Sequence, residues 1–176
     1  PRPIDGVMVS GLFATVAGPE ITHPPELFAE IAHVAPGYVV HPDFDPQAPD
    51  PLQCYLDDYL NSVENRFKVA EYLMDRENWT LFSVVFTATD QIQHAFWHCL
   101  AADPDTAPDH FRYRHAIRQV YEAIDAGLPR LLERVDGDTL VVVMSDHGAG
   151  ELHRVVNLNR WLYDHSYLAF KPGGAG

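Results

Sequence analysis

Two stretches of the 176-residue chain, LFSVVF at 81–86 and LVVVM at 140–144, are apolar almost throughout. A strand with one face in water alternates apolar and polar residues, because successive side chains point to opposite faces. A run that is apolar on both parities needs cover on both sides, the environment of a parallel sheet clad with helices. Buried strands are therefore predicted over 81–88 and 138–145, each released into a polar segment: TDQIQH after the first, SDHG after the second.

Between and around these runs the period changes from two to about 3.6. Leu56, Leu60, Val63, Phe67, Ala70 and Met74 recur at steps of three and four, predicting a long amphipathic helix from about Leu52 to Asn78. A second long helix carries Ile117, Tyr121, Ile124, Leu128 and Leu131 on one face, with a kink expected at Pro129. HPPELFAEIAHVA (23–35) predicts a helix with Pro25 in its first turn, and NLNRWLYDH (157–165) one capped by Asn157. Shorter strands are expected in IDGVMVSGLF (4–13), GYVVH (37–41) and YLAFK (167–171), and a helix near Asp90. PDFDPQAPDP (42–51), with four prolines, reads as a loop or lid. Strands alternating with long helices predict an α/β fold, with a largely parallel sheet and helices on both faces. The whole of 1–176 is read as a single, partial domain. The opening Pro1 and the closing KPGGAG both read as cut ends.

Charge narrows the partners. Twelve basic against 25 acidic residues leave a formal charge of −13, which repels phosphate backbones and anionic lipid and suits metal cations. No stretch approaches the ~20 apolar residues of a membrane span. Cys54 and Cys99 lack framework spacing, which argues against a disulfide scaffold or a thiolate zinc site and favours a reducing, cytoplasmic compartment.

The strand ends carry the candidate chemistry. Ligands of open α/β sheets gather outside the carboxyl ends of the strands. Asp90 and His94, one turn apart on a helix, share a face, and a carboxylate oxygen and an imidazole nitrogen there are able to converge on one cation. Asp146 and His147 leave the other strand together, and Gly148 allows the turn that aims them. Each pair alone has a plainer reading: Asp90 with Gln93 fits a capping box, and SDHG fits a polar turn. Two Asp/His pairs at the ends of two buried strands are harder to reduce to two unrelated turns. Asp/His donors without cysteine suit zinc first and manganese second, and two such ions suit in-line displacement at phosphorus.

With TATDQIQHAFW (87–97), VVVMSDHG (141–148), HRVVNLNRWL (153–162) and VMVSGLFATVAGPEITHPPEL (7–27), the chain resembles the alkaline-phosphatase superfamily, most closely its type I phosphodiesterase/nucleotide pyrophosphatase branch. The resemblance implies a three-layer sandwich, present in part, and a hydrolase of small phosphate esters that uses two divalent ions. It places Asp90 and His94 on one ion and Asp146 and His147 on the other. It also implies a threonine or serine nucleophile upstream of residue 1, without which the chain is not expected to turn over; neither Ser10 nor Thr15 matches that motif. A further histidine is implied well downstream of SDHG; His153 and His165 are nearby in sequence alone, and HRVVNLNRWL reads more naturally as a loop entering a helix. Gln91 stands where the relatives often carry a basic residue, and GAGE follows His147 where a bulkier turn is commoner. Phosphomutase or sulfatase chemistry, or a non-catalytic α/β module, are the alternatives.

Overall fold

The structure, a computed structural model, describes residues 4–11 and 18–171. They fall into two compact units, Pro1–Met144 and Ser145–Gly176.

The first unit is built around one long helix. After a two-residue strand β1 (Met8–Val9), antiparallel to β2 (Thr22–His23), come α1 (Leu27–Val34), α2 (Pro51–Arg76), α3 (Ala88–Phe96), the single turn α4 (Pro108–Phe111) and α5 (Ala116–Leu132). α2 begins where Asp50 accepts a hydrogen bond from the Gln53 amide and Pro51 needs no donor, a pairing of cap and first-turn proline that satisfies an otherwise orphaned N–H. The predicted stripe is buried: Leu56, Val63, Phe67 and Ala70 lie in the main core, and Leu60 and Met74 pack against it. Tyr59 is buried beside them, while Val69 and Leu73 turn to a second cluster with Leu27, Ile31 and Ala35 of the α1 region. Because its apolar arc is wide, α2 serves two cores.

α5 packs along α2. Its buried residues are Ala116, Val120, Gly127 and Leu131. The predicted face holds apart from one residue: Leu131 is buried and Ile117 and Ile124 pack against the core, whereas Tyr121 is 48% exposed and Val120 is fully buried beside it. Gly127, which has no side chain, lets the helix press against the Phe67 ring. Arg130 pairs with Glu64 and Glu71, and Arg134 with Asp75 and Glu71, fastening the solvent edge of the α2–α5 contact. α5 continues through Pro129 to Leu132.

The predicted parallel sheet is not present among the described residues, where the sole ladder is the antiparallel pair β1–β2. Residues 81–86 form no strand and join no ladder there: Phe82, Val84 and Phe86 pack on the core, while Leu81 and Val85 are exposed. Among the described residues the run is thus covered on one parity only. Leu140, Val142, Val143 and Met144 likewise join no ladder and are largely exposed. A strand is a cooperative object, and without neighbouring strands neither run has a ladder to join. GYVVH and YLAFK form no strand either, and the predicted strand over 4–13 is reduced to Met8–Val9, with 12 and 13 outside the described residues.

In the second unit, α6 (Leu158–Asp164) starts at Asn157, whose side chain accepts from the Arg160 amide at 2.9 Å, as the sequence predicts. Among the described residues no helix is long and apolar enough to cross a membrane.

Candidate functional site

The turn from 86 to 90 sets up the first pair. Thr89 Oγ1 bonds the Phe86 carbonyl at 3.0 Å, tying the end of the apolar run to the first turn of α3. Ala88, Ile92 and Phe96 bury one stripe of α3 in the core. Two residues along a helix is a rotation of about 200°, so Asp90 and His94 stand on the opposite stripe. Asp90 lies three positions after the N-cap Thr87, where the helix dipole favours a carboxylate, but that accounts for Asp90 alone. His94 Nε2 stands 3.5 Å from Asp90 Oδ1, with the imidazole 75% and the carboxylate 37% exposed.

In the second unit, His147 Nε2 stands 3.7 Å from Asp146 Oδ2. His147 Nδ1 lies 3.0 Å from the Gly148 carbonyl, which holds the ring by its other nitrogen, and Ser145 Oγ bonds the His147 carbonyl.

Both separations are long for a hydrogen bond and match another geometry. Two ligand atoms each about 2.1 Å from a tetrahedral ion lie roughly 3.4 Å apart. Each pair therefore has the spacing of two donors to one divalent cation. Among the described residues no three His, Cys, Asp or Glu side chains gather closely enough to hold a metal ion. His153 lies 3.9 Å from Glu151, and His165 stacks on Trp161 with Nδ1 2.8 Å from its carbonyl.

Beside His94 opens a shallow cleft of about 360 Å³, lined by Phe44, Leu52, Tyr55, Gln91, His94 and Ala95. Phe44 and Tyr55 meet edge to face at 5.3 Å, and Tyr55 continues to the buried Tyr59 through ring contact and a 3.2 Å hydroxyl pair. Burial, with the Tyr55 hydrogen bond and the nearby charges of Asp43 and Asp90, holds the Tyr59 hydroxyl protonated far above its ordinary range. These wall residues were not legible as a site: Phe44 sits in a proline-rich loop, and Leu52 and Tyr55 belong to a core-like stripe. Phe96 is buried in the core against Tyr113.

The family model described as type I phosphodiesterase / nucleotide pyrophosphatase matches residues 5–175. The chain belongs to that family. No curated protein and no solved structure gave a significant match. The type I phosphodiesterase family carries out hydrolysis of phosphodiester and nucleotide pyrophosphate bonds, and the match spans both Asp/His pairs and the cleft.

Proposed function

We propose that this chain is the metal-ligating part of a two-metal phosphodiesterase or nucleotide pyrophosphatase. Asp90 and His94 would hold one divalent ion, zinc first and manganese second, and Asp146 and His147 the other. The observation that carries the reading is the 3.5 Å between Asp90 Oδ1 and His94 Nε2 on one solvent-facing helix stripe, the separation of two ligands on one ion. The 3.7 Å of the second pair repeats it. Such ions, when bound, supply Lewis-acid stabilisation of the entering and departing oxygens at phosphorus.

The chain's own residues do the rest. α3 presents its donor pair at fixed spacing because the opposite stripe is anchored in the core. The Gly148 carbonyl orients the His147 ring so that Nε2 faces Asp146. The cleft beside His94 gives a substrate an apolar wall next to the first pair. The open parity of 81–86 and the exposed run 140–144 support placing both as strands of the parallel sheet the superfamily implies, an arrangement that would cover Leu81, Val85 and Val142.

The test is ion stoichiometry. Purified chain dialysed against ZnCl2 or MnCl2 is expected to retain two ions, with one lost in Asp90→Asn and the other in Asp146→Asn. A chain that retains none, or loses none in either variant, rules the reading out in favour of a non-catalytic module.

A further inference from the structure

Asp90 has two carboxylate oxygens, and the structure treats them differently. Oδ1 faces His94 Nε2 at 3.5 Å, while Oδ2 accepts a hydrogen bond of 3.0 Å from the side-chain amide of Gln91. Gln91 is half-buried and lines the cleft that His94 also borders. Resting on the metal reading above, we infer that Gln91 is a positioning residue: its amide fixes Oδ2, so that Asp90 offers Oδ1 alone, on the side of His94, to a divalent cation.

The residue type suits that role. An unrestrained carboxylate turns freely about its terminal torsion, so a donor on one oxygen removes orientations that would face away from the ion. Groups that orient a metal ligand in this way typically alter affinity by about ten- to hundred-fold when removed. A glutamine does so without charge. A lysine or arginine at 91 would also donate to Oδ2, but would set a positive charge beside the cation it helps to hold. The next amide on the helix serves a separate contact, since Gln93 Nε2 bonds the Thr89 carbonyl and the Tyr121 hydroxyl and so joins α3 to α5.

The experiment uses the full chain, stripped of metal and titrated calorimetrically with ZnCl2 and separately with MnCl2. Gln91→Met keeps the length of the side chain and removes the donor, whereas Gln91→Lys keeps a donor and adds charge. Gln91→Met is expected to weaken the Asp90-dependent ion by about ten- to hundred-fold, Gln91→Lys, which keeps a donor, by less, and both to leave the Asp146-dependent ion unchanged. The melting temperature of metal-free Gln91→Met should equal that of wild type, which a merely structural glutamine would not allow; if it falls, Gln91→Lys decides. Wild-type affinity in both variants, with an ion still lost in Asp90→Asn, overturns the role of Gln91 alone. A wild-type chain that binds no Asp90-dependent ion overturns the metal reading and this inference together.

Discussion

Gly127 of α5 faces the ring of Phe67 on α2 so closely that a Cβ at position 127 would lie 2.2 Å from Phe67 Cε2. Two helices meet at that point with no room for a methyl group, and the main core is organised around it.

Gly127→Ala therefore sets two effects against each other. Alanine favours the helix by about 1 kcal/mol, while forcing a methyl into a filled core costs about 1–3 kcal/mol. Contact with a buried ring, which has little freedom to retreat, puts the second effect ahead. The variant should lose up to about 2 kcal/mol, or up to roughly 8 °C in melting temperature. Phe67→Leu combined with it should recover part of the loss, and a melting temperature above wild type for the single variant would contradict the packing.

Asp50 makes three contacts: it caps α2, accepts from the Tyr113 hydroxyl at 2.7 Å and pairs with Arg112 at 2.7 Å. The Tyr113 hydrogen bond, then the Gln53 amide and Arg112, hold its carboxyl below the ordinary value of 3.8 against the opposing effect of burial. A depressed carboxylate stabilises the fold fully above its unfolded pKa and loses that contribution as pH falls through the folded one. Asp50→Asn keeps a capping oxygen and removes the charge. Its melting temperature should lie below wild type above pH 3.8 and converge with it on further acidification. A constant gap down to the acid limit would reject the assignment.

The same contact acts at the alkaline end. Burial, then the hydrogen bond to Asp50, pushes the Tyr113 hydroxyl up to about 12 from its ordinary 10.0. A raised pKa stabilises the fold fully below the unfolded value and is lost as pH rises through the folded one. Tyr113→Phe should thus be destabilised relative to wild type up to pH 10.0, with the difference closing toward about 12. Absorbance titration of the phenolates should show one late-titrating group fewer in the variant.

Arg66 holds two segments that are distant in sequence, bonding the Val40 carbonyl at 2.8 Å and the Val85 carbonyl at 3.0 Å. A planar fork serves two acceptors that a single ammonium cannot reach together. Arg66→Lys and Arg66→Met should both lose about 1–3 kcal/mol, and hydrogen exchange should quicken around 38–41. Protection equal to wild type in Arg66→Met would show that the bridge contributes nothing.

If the Asp/His pairs hold ions, zinc should raise the melting temperature with the logarithm of its excess, by about 2.7 kcal/mol of added stability per site at a hundredfold excess over the dissociation constant. A chelator should reverse the rise, and His94→Ala should halve it. A shift equal in wild type and in Asp90→Asn with Asp146→Asn would assign it to unspecific binding.

Local pattern was legible where local physics decides. α2 follows its three- and four-residue spacing, α6 begins at the asparagine expected to cap it, and α3 starts within two residues of Asp90 because Asp/Thr chemistry favours helix starts. The Asp/His spacing within each pair was legible for the same reason, since a helix turn and a sharp turn are both short-range geometry. Less legible was one position on the face of α5, where Val120 is buried and Tyr121 exposed. Gln91 and the cleft wall were not legible as a set, because Phe44, Leu52, Tyr55 and Gln91 are joined only by the path of the loop over α2.

The order of residues alone determined that this chain makes long amphipathic helices, carries two doubly apolar runs, and ends each run in an aspartate and a histidine, since periodicity, capping and composition act within a few residues. Tertiary structure decided which parity of 81–86 is covered, how closely α5 approaches α2, and which oxygen of Asp90 is left to face His94. Those outcomes rest on contacts between residues remote in sequence and on rotamers chosen among neighbours. Neither is encoded in spacing, because both depend on volumes and hydrogen-bond partners that meet only once the chain has closed.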